Sequence, residues 1–428
     1  MPSKVTIYPS KVHGIVTVPP SKSHSMRAIL LAALADGDSC IHGLLRSPDI
    51  EAMIQAARAM GASCVWRAES LCIQGVAGQP KLSGYVDAQN SGQVLRFVAA
   101  CGAIGSSTFC ISGDRSILNL RPASELIQAL QDAGVEVHSN NQRPPLYITG
   151  PLRAGTIEMH GHDSQPVSGL LMALSLLPAP STLIVHELGE RPWIGLTLWW
   201  LRRLGAHVQW VKSGTQDHFN ISGGWLPQGF DVTIPGDWSS AAFPITAGLL
   251  HGEATVMGLD SHDPQGDRVM LEWLKNMGAD IKTAENSLNA KACALEGAII
   301  DANDAIDAVP ILCAMAPYTK RGLLIENVGV ARQKESDRLA AMATELTKMG
   351  AAISTGPDWI RVGAAPLQGA ELHGHGDHRV VMALAIAAIG ASSPTTISDC
   401  TCVAKSYPGF FDQLATLGVR LEWECCPV

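Results

Sequence analysis

The stretch SPDIEAMIQAARAMGASC, residues 47–64, decides the fold. Its apolar residues Ile50, Met53, Ile54 and Ala57 keep the i, i+3, i+4, i+7 spacing of one helical face. Ser47 is placed to cap the helix, Pro48 suits its first position, and Gly61 suits the left-handed residue that closes it. The same ending recurs along the chain. Met270, Trp273, Leu274 and Met277 lead to Gly278, and Leu339, Met342, Ala343, Leu346 and Met349 lead to Gly350. The marker glycines are Gly61, Gly134, Gly205, Gly278, Gly350 and Gly418, separated by subtraction by 73, 71, 73, 72 and 68 residues. A period of about 71 residues that fills the chain is the mark of a duplicated unit, here written six times.

Each unit also holds a helix that is apolar almost all round, such as Val167 to Leu177, Ala241 to Leu250 or Arg379 to Ile389. A helix without a polar face is buried on all sides. Strand-like runs (Leu183–Val185, Ala254–Met257, Leu323–Ile325) lie between the two helices, and two more follow the glycine, as in Val135–Ser139 and Leu146–Thr149. The unit therefore reads helix, strand, helix, strand, strand. Six units predict an α/β protein of two closed groups of three: a two-domain inside-out α/β barrel, with buried helices inside and sheets outside. The alternative, a binding solenoid, usually has shorter repeats and atypical capping units.

Composition narrows the function. The 428 residues exceed one ordinary core, so two domains are expected. The net charge is −8, from 31 basic and 39 acidic residues, which argues against a nucleic-acid binder. Met1 to Lys11 lacks a signal peptide's apolar stretch, and the run Val380 to Ile389 is too short to span a bilayer. Eleven scattered cysteines without a CxxC pair suggest reduced thiols, hence a cytoplasmic protein, with Cys425 and Cys426 as exposed thiols.

Short polar segments open the buried helices: Ser21 to Ser25, Gln89 to Gly92, Asp163 to Gln165, Asp237 to Ser240, Asp304 to Asp307 and Gly376 to Arg379. Helix N-termini favour phosphate and carboxylate. Lys22, Arg27, Arg96, Arg121, Lys334, Arg338, Arg379 and Lys405 lie in or beside these segments or on the second helices. Arg27, Arg96 and Arg379 open strongly apolar helices, where a lone charge is costly, so each needs a carboxylate or an anionic ligand. Two acids accompany these cations: Asp307 starts the buried helix of the fifth repeat, and Glu335 lies between Lys334 and Arg338, where a capped, charge-laced helix start is the competing reading. No GxxxxGK[ST] loop, GxGxxG turn or HExxH appears. His160-Gly-His162 and His373-Gly-His375 lack further ligands at recognised spacing, so no metal is expected.

These motifs together resemble the enolpyruvyl transferase family, in its 5-enolpyruvylshikimate-3-phosphate synthase branch, over the full length. The resemblance rests on Pro20-Ser-Lys22-Ser23-His-Ser-Met-Arg27, Asn90-Ser-Gly92 with Arg96, Arg121-Pro122, Ser164-Gln165, Gly236-Asp237 with Ser239-Ser240, Asp307 with Pro310, Lys334-Glu335-Ser-Asp-Arg338, Asp377-His378-Arg379 and Ala404-Lys405 with Pro408. It implies two domains, residues 20–236 and residues 1–19 with 237–428, and an active site in the cleft between them. The first would hold shikimate 3-phosphate and the second phosphoenolpyruvate. It implies transfer of the enolpyruvyl group to the 5-hydroxyl of shikimate 3-phosphate with release of phosphate, in aromatic amino acid biosynthesis, without a cofactor, by a monomer. Asp307 would be the base, and Glu335 the proton donor or its relay with Lys22 nearby. Lys22, Gly92, Arg121, Gln165, Arg338, Arg379 and Lys405 would hold phosphoenolpyruvate. Lys22, Ser23, Arg27, Ser164, Gln165, Asp307 and Lys334 would hold shikimate 3-phosphate.

The chain departs from the family pattern in places. Gln93 stands where Thr is usual, Val330 where Asn is frequent, and the Gly113–Pro122 loop is longer than the family's by one residue. Asp163, Glu190 and Trp193 fill acceptor-side positions that are often Ser, Ser and Tyr. The alternatives kept open are a transferase for another cyclic hydroxy acid and a non-catalytic anion-binding relative. Gly92 leaves room for glyphosate to compete with phosphoenolpyruvate.

Overall fold

The computed structural model describes residues 4–424, so the thiols expected at Cys425 and Cys426 lie outside the described residues. The chain divides into two compact units, Pro20–Ile234 and Met1–Pro19 with Pro235–Val428. Helices and strands alternate throughout, and the strands form six four-stranded sheets.

The second repeat shows the plan. The strand Gly84–Asp87 runs parallel to Thr108–Ser112, and the buried helix Gly92–Gly102 connects them. The amphipathic helix Ser124–Asp132 leads to a hairpin, Glu136–Asn140 and Arg143–Thr149, whose second strand pairs antiparallel with Thr108–Ser112. Parallel strands need a crossover, and the buried helix supplies it. The third repeat repeats the order from Thr156–His160 to Gln216–Ile221. The sequence reading lacked the strand ahead of each buried helix. That strand is three to six residues long, as in Asp231–Thr233 and Glu371–His373, too short for a period-2 pattern to register.

Three places in the sheets are filled from a distance. Asp231–Thr233 pairs in parallel with Asp38–His42 and completes the first sheet of its unit. In the other unit, Val12–Thr17 runs parallel to Gly252–Met257. Lys4–Ile7 inserts between Thr395–Ser398 and Leu421–Glu424.

Local chemistry explains the elements. All six marker glycines have φ between +82° and +103°, the conformation expected of a residue closing a helix. Ser47 accepts a hydrogen bond from the Ile50 amide at 3.4 Å, a cap worth about 1 kcal/mol. Five of the six buried helices start at a side-chain cap: Ser21, Ser91, Asp163, Asp237 and Asp377. The sixth, Val309–Met315, instead follows a 3-10 turn, Asn303–Ala308, that carries Asp307. Every residue of His378–Ile389 is buried, as a helix without a polar face requires. A methyl at Gly169 would meet the Arg96 carbonyl oxygen at 2.8 Å, so its absence lets Ser164–Leu176 press against Gly92–Gly102.

The segment Gly113–Pro122, read as a loop, holds a short helix, Arg115–Leu120. Asp114 caps it and also accepts from Asn90 at 2.7 Å, which ties the turn before Gly92 to the segment that delivers Arg121. Among the described residues, no helix is long and apolar enough to cross a membrane.

Candidate active site

Burial sorts the basic residues. Arg27, Arg96, Arg121, Lys334, Arg338, Arg379 and Lys405 are all buried, and they are the only buried lysines and arginines among the described residues. Lys22 is next to them in character, with a side chain 14% exposed and 3.4 Å from Asp49. A buried cation costs several kcal/mol unless it is matched. A protein that buries seven has a use for positive charge in those places.

In the unit of Pro235–Val428, the cations meet acids in one continuous network. Arg338 lies at its centre, at 2.8 Å from Asp307, 2.9 Å from Glu335 and 2.9 Å from Asp377. Asp307 bridges onward to Arg379 at 2.9 Å, and Glu335 to Lys405 at 2.6 Å. Asp377 also accepts from Ser336 and from the Arg379 amide, so it fixes both the Arg338 guanidinium and the start of the Arg379 helix. Burial acts to raise the Asp307 pKa, but Arg379, Arg338 and Lys334 outweigh it and hold the carboxyl well below the usual range. Burial likewise opposes the Arg338 charge, and its three carboxylates more than reverse that. Asp267 behaves oppositely. Burial, with the nearby Asp307 charge, lifts its pKa to about 7 against Arg379, and Ser239 hydrogen-bonds to it. The charge-laced helix start expected around Glu335 is only half right. Asp337 caps Arg338–Lys348, whereas Glu335 faces inward to Arg338 and Lys405.

In the unit of Pro20–Ile234, three groups singled out in the sequence converge on Gly92. A methyl there would lie 2.9 Å from Arg96 Nη1 and from Gln165 Oε1, and nearer still to Arg121 Nη1. Arg96 pairs with Asp163 at 3.2 Å and donates to the Pro122 carbonyl at 3.1 Å, which anchors the residue after Arg121. Among the described residues, Arg27 has no carboxylate within ion-pair distance. Its donors reach the Thr197 hydroxyl at 2.9 Å and the carbonyls of Ser23 and Trp193 at 3.1 and 3.2 Å, with the Phe97 ring 5.2 Å away. Burial lowers its pKa to about 9, so it remains charged at neutral pH. Of the three arginines expected to have an anion, Arg27 is the one without a protein carboxylate.

The acceptor-side departures have structural work to do. Asp163 pairs with Arg96 and caps Ser164–Leu176. Glu190 accepts from the Ser164 amide at 3.1 Å and hydroxyl at 3.0 Å. Trp193 is buried and presents its carbonyl to Arg27. Asp49 and Asp267 were not foreseen at the site. Asp163, Glu190 and Asp377 were placed near it by their positions in the sequence, Asp163 and Asp377 at helix starts, but not as the partners of particular side chains.

The histidine pairs differ from each other. His375 is held by Glu345 at 2.9 Å and its amide donates to His373, a loop clasp. His160 and His162 both approach Glu187, at 3.3 and 3.0 Å, on an exposed surface.

Comparison with known proteins accords with this arrangement. The sequence profile of a family described as EPSP synthase (3-phosphoshikimate 1-carboxyvinyltransferase) matches residues 7–414. A 3-phosphoshikimate 1-carboxyvinyltransferase of Chlamydia pneumoniae is 39% identical over 98% of this chain and 94% of its own length. One of Acetivibrio thermocellus is 37% identical over 96% of this chain and 98% of its own. Among solved structures, EPSP synthase from Acinetobacter baumannii superposes with a TM-score of 0.79 at 27% identity, covering 98% of this chain and 99% of that one. The enolpyruvyl transferase NikO from Streptomyces tendae gives 0.77 at 18% identity over the full length of both, a likeness of fold alone.

Proposed function

The chain belongs to the EPSP synthase family and transfers the enolpyruvyl group of phosphoenolpyruvate to shikimate 3-phosphate, releasing phosphate; on that premise we propose that the two constellations above serve this one reaction. The observation that carries the reading is the ion-pair chain Arg379–Asp307–Arg338–Glu335–Lys405. It places two carboxylates among three cations.

Addition needs a base for the 5-hydroxyl and an acid for the methylene carbon. Asp307 takes the hydroxyl proton as the oxygen bonds to C2 of phosphoenolpyruvate. Glu335, as the proton donor or its relay together with Lys22, supplies the proton that turns the methylene into a methyl. Loss of a methyl proton then reforms the double bond as the C2–O bond to phosphate breaks. In the free protein, Asp307 is too well paired to be a good base. A substrate carboxylate that engages Arg338 and Arg379 relieves that pairing and raises the proton affinity of Asp307. Arginine suits this clamp because its fork holds carboxylate or phosphate with two parallel hydrogen bonds. Lys405, Lys22, Arg121, Gln165 and the space at Gly92 complete the phosphoenolpyruvate site.

Ser23, Arg27, Ser164, Gln165, Lys334 and Lys22 are assigned to shikimate 3-phosphate. Arg27 supports this, since among the described residues its buried charge meets neutral acceptors and an aromatic ring but no carboxylate. Ser164 must turn its hydroxyl from Glu190 to take part. We read each unit as three repeats about a pseudo-threefold axis, the inside-out barrel, and the protein as a cytoplasmic monomer.

The test is phosphate release from phosphoenolpyruvate with and without shikimate 3-phosphate. Release should require shikimate 3-phosphate, and Asp307→Asn should lower kcat by about 10²–10⁴-fold while the far-ultraviolet spectrum stays unchanged. An Asn variant that keeps most of its activity would remove Asp307 from the role of base.

A further inference from the structure

On the solvent side of the first sheet, well separated in sequence from the residues assigned above, four metal-ligating side chains share two neighbouring rows. Asp231, Cys40 and Cys72 are register partners on three adjacent strands, and His42 follows Cys40 on the same face. We propose that Cys40, Cys72, His42 and Asp231 form a site for one thiophilic divalent cation of the zinc type.

The distances fit that use. The Cys40 and Cys72 sulfurs are 3.6 Å apart. Two thiolates bound at about 2.3 Å to one tetrahedral zinc lie roughly 3.8 Å apart. His42 Nε2 stands 3.1 and 3.2 Å from the two Asp231 oxygens. Nitrogen and oxygen ligands of one zinc lie about 3.4 Å apart. The ligand atoms of Cys40, His42 and Asp231 are all within 4.8 Å of one another, and Cys72 stands outside that trio and joins it through the Cys40 sulfur. The other ring nitrogen, Nδ1, is 2.6 Å from the Ser70 hydroxyl, the kind of partner that sets the tautomer and aim of a metal-bound imidazole. Zinc accepts a carboxylate as magnesium and calcium do, but the two thiolates and the imidazole are donors that favour zinc over either. A groove lined by Asp38, Cys40, Val65, Cys72 and Asp231 gives an ion access. The sequence hides the set because His42 and Asp231 lie 189 residues apart. The exposed cluster of His160, His162 and Glu187 has no thiolate, and Glu187 already holds both rings.

The experiment uses the full chain, reduced with a non-chelating phosphine and stripped with a chelator. Calorimetric titration with Zn²⁺ should give one ion per chain. Co²⁺ should give the intense visible bands of a tetrahedral site and a thiolate-to-cobalt charge-transfer band. Cys40→Ser and Cys72→Ser should abolish the charge-transfer band or halve it. Ser70→Ala should weaken Zn²⁺ binding ~10–100-fold. The double variant His160→Ala/His162→Ala should bind unchanged. His42→Ala repeats the test if a cysteine variant fails to fold. Absence of stoichiometric binding would overturn the proposal. So would Zn²⁺ binding indifferent to both cysteines, binding lost only with His160 and His162, or a reduced chain that ignores Zn²⁺ and merely forms a Cys40–Cys72 disulfide on oxidation.

Discussion

Gly92 opens a buried helix at its first position, where alanine would suit the backbone and raise helix propensity by up to about 1 kcal/mol. The added methyl would nevertheless press on Arg96, Gln165 and Arg121. Stability and binding should therefore part company in Gly92→Ala. Its melting temperature should match or exceed the parent's, while its KM for phosphoenolpyruvate rises about tenfold, the effect of losing one hydrogen bond's worth of binding. Competition by glyphosate should weaken with it. Steady-state kinetics with thermal unfolding measures both, and an unchanged KM would detach Gly92 from the substrate. At this scale the cations were legible in the sequence, because an arginine within an apolar helix is conspicuous. Their partners were not. Arg96 meets Asp163 and Arg338 meets Asp377 only because separate repeats fold against each other. No local pattern marks an acid for such a pairing.

Helices and their closing glycines were readable for a different reason. A thirteen-residue helix such as Arg191–Arg203 repeats its apolar period several times, and a left-handed closing residue narrows the choice to glycine. A three-residue strand repeats nothing, and the short helix Arg115–Leu120 lies in a stretch that looks irregular. The helix Trp238–His251 carries a further consequence at its last residue. His251 lies 3.0 Å from the Ile386 carbonyl and edge-on to the Tyr318 ring. Burial lowers its pKa to about 4, outweighing that hydrogen bond to Ile386. The unfolded chain, with an ordinary histidine near 6.5, then binds a proton more readily than the folded one. Stability should be level above about pH 6.5 and fall as pH drops toward 4, by up to about 1.4 kcal/mol per unit. In His251→Gln, urea midpoints compared at pH 7.5 and 5 should differ less than the parent's. An equal difference would place the acid sensitivity elsewhere.

Across the whole molecule, the seams of the sheets matter most. Lys4–Ile7 buries Val5 and Ile7 completely between two strands from near residues 395 and 421. Each such side chain contributes roughly 1.5–3 kcal/mol. A chain lacking residues 1–11 should therefore unfold in two steps, the unit of Pro235–Val428 first and the unit of Pro20–Ile234 at its former midpoint. One unshifted transition would show the strand to be dispensable. The same seam has a meaning in time. A ribosome makes Lys4–Ile7 well before the strand's neighbours, Thr395–Ser398 and Leu421–Glu424. Every strand of the unit Pro20–Ile234 is available once residue 234 has emerged, so that unit can fold during translation. Lys4–Ile7 must wait for both of these segments, and a product stopped short of residue 395 would leave the strand without either of its pairing partners. The unpaired strand would then distinguish a nascent chain stopped before these segments from one that contains them.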